Sequence, residues 1–163
     1  MTTPAATSFR ETTGDGMSDS EASEGSPGQR LTHETMTALV PFAGTLDLEL
    51  VSSEPERVEG RLSWAPERCT SGGVLHGGVL MAMADNFGGV CAYLNLPPGT
   101  ATSTIESKTN FFRAVREGHV DSVSCPLHVG RSTIVVQTDL FDEAGRRVAQ
   151  TTQTQAVVGG TGG

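Results

Sequence analysis

The fold class this sequence predicts is α+β: one domain in which a run of antiparallel strands carries a single long apolar helix on one face and wraps around it. Three observations carry it. Residues 77–94 are apolar on nearly every helical face, four strand-like segments follow in a row between 102 and 158, and two more alternate apolar and polar residues ahead of the helix. At 163 residues the chain is sized for one domain with a real core.

Residues 1–30 hold six apolar residues among many Ser, Thr, Gly, Pro and acidic ones, too few to offset the entropy of ordering them. A disordered tail is expected there, a folded domain over 31–158, and a flexible tail over 159–163. Thr32, followed by Glu34, Thr35, Met36, Leu39 and Val40, predicts a capped amphipathic turn or two that stops near Pro41, a short lid or packing helix. Residues 45–51 and 57–64 alternate at period two and predict an antiparallel pair joined by the turn Ser52-Ser53-Glu54-Pro55-Glu56.

A loop over 68–75 leads into the central helix, on which Val79, Leu80, Met81, Met83, Phe87, Val90, Cys91, Tyr93 and Leu94 leave no clean polar face. Such a helix is covered on most sides. Beyond Pro97-Pro98-Gly99, residues 102–113, 118–129, 132–142 and 147–158 read as strands rich in Thr, Val and Phe, the last two joined by the turn Glu143-Ala144-Gly145.

Composition excludes several classes of function. A net charge of -8, from 11 basic and 19 acidic residues, argues against nucleic acid or an anionic membrane as the main partner. Cys69, Cys91 and Cys125 form no C-x-x-C, so neither a disulfide scaffold nor a zinc knuckle is expected, and a reducing cytoplasm fits best. His33, His76, His119 and His128 form no H-x-x-x-H pair, so no metal site is expected. No apolar run is long enough to span a membrane, and no secretory signal pattern opens the chain.

The chemistry is expected in the stretch from Cys69 to Gly89. Gly77 and Gly78 have no side chains to obstruct a ligand, and the first N–H groups of a helix lack intrahelical partners at the positive end of its dipole. That pairing favours an anion or a developing oxyanion; the alternative is two glycines that let the helix pack closely on a strand. Asp85 is an acid inside an apolar helix, where desolvation raises the pKa into the range that suits a general base. The alternative is a carboxylate paired with an arginine or capping another helix. Gly77 and Asp85 are eight residues apart, about 12 Å along one helix at 1.5 Å per residue, so they cannot touch the same carbonyl. Two copies running antiparallel about a two-fold axis place the start of one helix beside the middle of the other. The chemistry then needs a dimer.

Thr102, Ser103 and Thr104 offer hydroxyls to orient a water or the acid, though threonine is also simply a good strand former. Arg113, Arg116 and the segment Gly130-Arg131-Ser132 are local basic features that either solvate a face or bind phosphate.

Five motifs in order carry a resemblance: Gly73-x-Leu75-His76-Gly77-Gly78; Asp85 nine residues after the histidine; Thr104-Ile105-Glu106 leading to Asn110-Phe111-Phe112-Arg113; His128-x-Gly130-Arg131-Ser132; and Gly145-Arg146-Arg147-Val148-Ala149. Over residues 41–158 the chain resembles the hotdog-fold acyl-coenzyme A thioesterases of the phenylacetate-pathway, or PaaI-like, type. The resemblance implies a curved antiparallel sheet wrapped around the helix, and homodimers, further paired as dimers of dimers, with active sites at the interface. It implies hydrolysis of an acyl-CoA to a free acid and coenzyme A, with no metal or redox cofactor.

Carried over by position, the Gly77 N–H polarises the thioester carbonyl, the partner's Asp85 acts as general base or nucleophile, and His76 binds near the carbonyl or the acid. Thr104 helps place the water, with Ser103 as its rival. Thr70 stands where many relatives carry Asn or Gln. Gly78, Arg113 and Gly130-Arg131-Ser132 are the remaining substrate contacts, the last two groups facing the coenzyme A phosphates. Met81, Met83, Phe87 and Tyr93 are the candidates for the acyl pocket. Rival readings are a hotdog dehydratase, which needs a histidine–acid spacing not found here, a non-catalytic acyl-CoA-binding module, against which Asp85 argues, and a thioesterase acting on a carrier protein.

Overall fold

The computed structural model describes residues 30–159. The tails expected over 1–30 and 159–163 therefore lie outside the described residues, apart from Arg30 and Gly159. In chain order the elements are α1 (His33–Leu39), α2 (Pro41–Thr45), β1 (Glu49–Glu54), β2 (Arg57–Ser63), a 3-10 turn (Pro66–Arg68), α3 (Gly77–Leu94), β3 (Ala101–Phe111), β4 (His119–Val129), β5 (Thr133–Asp142) and β6 (Arg147–Val158). The strands form one sheet in the order β1-β2-β4-β5-β6-β3, each neighbouring pair antiparallel. Helix α3 packs against all six. This is the α+β hotdog architecture. Among the described residues no helix is long and apolar enough to cross a membrane.

Thr32 caps α1 as expected, in a reciprocal pair with Thr35 that satisfies one backbone N–H at each end. The segment that follows departs from expectation. Pro41 opens a second helical turn, α2, at the position where its missing N–H costs nothing. The Leu46 N–H then bonds to the Phe42 carbonyl, and Asp47 adopts a left-handed φ of 54°. The first strand therefore starts at Glu49 rather than residue 45 and absorbs Ser52, Ser53 and Glu54, leaving Pro55-Glu56 as the turn. Alternation over 45–48 is too short a run to separate a strand from a helical turn, and burial of Ala43 and Leu48 selects the turn.

The core lies between α3 and the sheet. Met83 and Phe87 are fully buried there with Val58, Leu62, Val120, Ile134, Val136 and Leu140. The Phe87 ring fills the space over Gly60, where an added Cβ would stand 2.0 Å from its Cζ. As expected, α3 is covered on most sides, with nine of its eighteen residues buried, yet one narrow strip is open. Gly78, Met81 and Asp85 are exposed and Ala82 and Gly89 half-buried, an open stripe at helical spacing. The edge strand β3 is exposed at every position except Thr102 and Thr109, with Ile105 63% and Phe111 50% exposed. The six-stranded sheet covers most of the helix and leaves this stripe open.

Candidate active site

The helix start is built by His76. It is the N-cap of α3, in extended conformation, and its Nδ1 accepts the Gly78 N–H at 2.9 Å. Its carbonyl takes the Val79 N–H at 2.9 Å and the Leu80 N–H at 3.3 Å. Of the four first-turn amides, Gly77 alone has no hydrogen-bond partner among the described residues. With Nδ1 as acceptor, the proton of the neutral imidazole sits on Nε2. Gly77 opens onto a groove with Thr70, Phe111, Phe112 and Arg113, and the Phe111 ring rests against it, 3.2 Å from where a Cβ would be. Gly72 and Gly73, at φ of 120° and 69°, turn the preceding loop so that the Thr70 N–H reaches the Val74 carbonyl. Arg116 holds this loop through the Gly72 carbonyl at 2.8 Å.

Two turns further on, Asp85 stands on the open stripe. The expected buried acid is thus an exposed one in the single chain, at the wall of a cavity of about 350 Å³ that also involves Asn86, Tyr93, Thr102, Thr104 and Gln155. Its carboxylate has no hydrogen bond or ion pair among the described residues, so the arginine pairing is not present. Burial against the cavity walls still pushes its carboxyl above the usual range. On β3 the Thr102 hydroxyl donates to Gln155 Oε1 at 3.0 Å, and Gln155 Nε2 donates to Thr104 Oγ1 at 2.9 Å. Ser103, between them, points to the opposite face of the strand. Thr104 and Asp85 share the cavity, and Ser103 does not join them.

The basic candidates are divided between the two ends of the sheet. Arg113 follows β3 beside Gly77. Gly130-Arg131-Ser132 is the β4–β5 turn, fastened by the Gly130 N–H to the Thr133 carbonyl and by the Val157 N–H to the Ser132 carbonyl. Through Ala156 that turn lies level with Ser103. Ser103 and Phe111 are eight residues apart on β3, about 26 Å at roughly 3.3 Å per residue. One chain therefore does not bring Arg113 and Arg131 together, just as it does not bring Gly77 and Asp85 together.

Of the acyl-pocket candidates, Tyr93 lines the cavity, whereas Met83 and Phe87 belong to the core and Met81 to the open stripe. The short lid or packing helix expected around Met36, Leu39 and Val40 lines this cavity together with Leu31; sequence reasoning missed its polar members Asn86 and Gln155. A signal for Gln155 existed: the inward positions 151, 153 and 155 of β6 are Thr, Gln and Gln, as polar as the outward set, yet all are buried. The described residues hold no group of three or more His, Cys, Asp or Glu suited to a metal ion. Burial pushes the Cys91 thiol up to about 12, which rules it out as a nucleophile.

A model of the thioesterase superfamily matches residues 72–149. The chain is 29% identical over 132 residues to the 1,4-dihydroxy-2-naphthoyl-CoA hydrolase of Escherichia coli (strain K12), covering 80% of this chain and 97% of that protein. It is 30% identical over 115 residues to ComA2 of Bacillus subtilis (strain 168), covering 69% of this chain and 90% of the other. The crystal structure of thioesterase HI1161 from Haemophilus influenzae superposes with a TM-score of 0.76 at 25% identity, over 81% of this chain and 94% of that one. The PaaI protein of the E. coli phenylacetic acid degradation operon superposes with a TM-score of 0.71 at 19% identity, over 78% and 91%, a likeness of fold.

Proposed function

Because this chain belongs to the thioesterase superfamily and is a thioester hydrolase, we propose that it cleaves an acyl-coenzyme A to a free acid and coenzyme A in a site completed by a second copy. One observation carries the reading. On a single helix, a Gly77 amide and an Asp85 carboxylate that have no partner among the described residues are separated by about 12 Å. Each is half of a hydrolytic site.

An antiparallel partner helix laid on the open stripe would join them, and the bare edge of β3 offers unpaired backbone for the same contact. The small residues Gly78, Ala82 and Gly89 allow the helices to approach. The two-fold axis also carries Arg131 and Ser132 of one copy toward Arg113 of the other, so that both ends supply donors to the phosphates.

In this site the Gly77 N–H polarises the thioester carbonyl and the His76 Nε2–H stands beside it. The partner's Asp85 removes a proton from water as its oxygen bonds to the carbonyl carbon, and the Gly77 N–H holds the resulting oxyanion. Collapse breaks the C–S bond, and the thiolate leaves with the proton. Thr104 holds the attacking water, and no metal or redox cofactor takes part. Kinship to a CoA-ester hydrolase supports coenzyme A over a carrier protein as the thiol.

The test is release of free thiol from aromatic, short-chain and medium-chain acyl-CoAs, with a carrier-protein thioester and an enoyl-CoA hydration assay alongside. Turnover of at least one acyl-CoA, lowered about a hundredfold or more in Asp85→Asn, supports the reading. Binding without turnover, or turnover of the carrier-protein ester alone, refutes it.

A further inference from the structure

We infer that Gln155 is a positioning residue for the reaction: its side-chain amide locks Thr104 with the hydroxyl proton and one lone pair turned toward the cavity that holds Asp85. The inference rests on the hydrolytic reading of Asp85 and Thr104 and adds a residue that no part of that reading uses.

Gln155 sits at an inward position of β6, 2% exposed, beside Ile134 of β5 and Thr104 of β3. An apolar side chain would satisfy such a place, and burying an amide there is costly unless both its ends are bonded. Both are. Oε1 accepts from the Thr102 hydroxyl at 3.0 Å and Nε2 donates to Thr104 Oγ1 at 2.9 Å, and all three residues line the cavity. The contrast is Gln153, equally buried two residues earlier in the same row. Its Oε1 has no partner and its Nε2 makes a single 3.5 Å contact with the Asp85 carbonyl. Burial in this row does not by itself produce a satisfied amide.

The pattern of donors sets a direction. A hydroxyl has one proton and two lone pairs. Thr102 spends its proton on Gln155, and Gln155 spends an N–H on one lone pair of Thr104. Thr104 therefore cannot donate back toward β6, and meets the cavity with its proton and its second lone pair. Those two groups are what it takes to hold a water between Thr104 and a carboxylate. The unbroken register that pairs Thr102 with Val157 and Thr104 with Gln155 puts both threonines on the face of β3 that lines the cavity.

The test is a double-mutant cycle of Gln155→Met and Thr104→Val, read as kcat and KM for an acyl-CoA that the parent enzyme turns over, with Asp85→Asn as reference. Gln155→Met should lower kcat about tenfold, the weight of one hydrogen bond, and leave KM unchanged. In the Thr104→Val background it should cost nothing further. An unchanged kcat, a loss that multiplies with that of Thr104→Val, or an effect on KM alone overturns the inference. If Thr104→Val keeps full kcat while Asp85→Asn loses it, the role of Thr104 falls as well; if both keep it, the hydrolytic reading of the site falls.

Gln155→Glu supplies a second readout should the methionine variant fail to fold. Protonated, it accepts from Thr102 and donates to Thr104 as the amide does; ionised, it can only accept. Its kcat relative to the parent should therefore fall as pH rises, and a ratio that stays constant overturns the inference. Asp85 and Tyr93, the other titratable groups lining the cavity, are present in both enzymes.

Discussion

His76 Nδ1 accepts the Gly78 N–H at 2.9 Å, and that bond leaves Gly77 as the first-turn amide of α3 with no partner among the described residues. The imidazole therefore caps the helix with one nitrogen and presents a free N–H on the other. Replacing it separates the two tasks. His76→Asn retains a capping oxygen and should keep the stability of the parent while lowering kcat. His76→Ala should lose kcat and about 1 kcal/mol of stability together. Urea unfolding and thiol release on the two variants check this; a His76→Ala variant as stable as the parent would show that the cap contributes nothing.

The proposed sharing of one site between two copies predicts complementation. Gly77→Pro deletes the free N–H at a position where proline suits a helix start, and His76, at φ -65° and ψ 132°, already has the backbone that a following proline requires. Gly77→Pro and Asp85→Asn should each be inactive. Refolded or coexpressed together they should regain activity, because a mixed dimer holds one intact site of its two. Sites contained within one chain would give no recovery.

Asp85 sets the pH dependence. Burial raises its carboxyl above the ordinary range, so kcat/KM should fall as pH drops through that raised value, where the base becomes protonated. Stability moves the other way. The folded state binds this proton more tightly than the unfolded chain, so stability declines as pH rises from the ordinary carboxylate value to the raised one. Asp85→Asn removes that decline. Its gain in Tm over the parent should be absent in acid, grow across the window and then stay constant, as thermal unfolding across pH can show.

Gly60 carries a packing prediction. A Cβ there would lie 2.0 to 2.4 Å from three atoms of the fully buried Phe87 ring. Gly60→Ala should destabilise by about 1–3 kcal/mol, the usual weight of overpacking, seen as a lower urea midpoint. Gly60→Ala combined with Phe87→Leu should recover part of it.

The legible parts of this chain were those with long periodicity and clear punctuation. Helix α3 runs over the 77–94 expected of it, and β4, β5 and β6 fall within a residue of their predicted limits. Gly118 and Gly145, at φ of 71° and 73°, provide turns that side chains resist. The PaaI-like motifs led to the thioesterase superfamily, which the relatives bear out. Residues 41–48 were misread because a four-residue alternation fits a strand and a helical turn equally well. Met83 and Phe87 were offered to the acyl pocket because periodicity shows that a face is apolar, without showing which neighbour covers it.

By itself the sequence determined the class of fold, the reaction family, and the separation of Gly77 from Asp85, because helical rise converts eight residues into a distance whatever surrounds them. Only the tertiary structure decided which side of α3 stays open and which hydroxyls line the cavity with Asp85. Both depend on strand order and register. Placing β3 at the far edge beside β6 leaves the stripe through Asp85 uncovered, and the pairing of Gln155 with Thr104 turns that threonine inward and Ser103 away. Local propensity is blind to these choices, since they follow from which long-range pairings bury the most surface and satisfy the most hydrogen bonds.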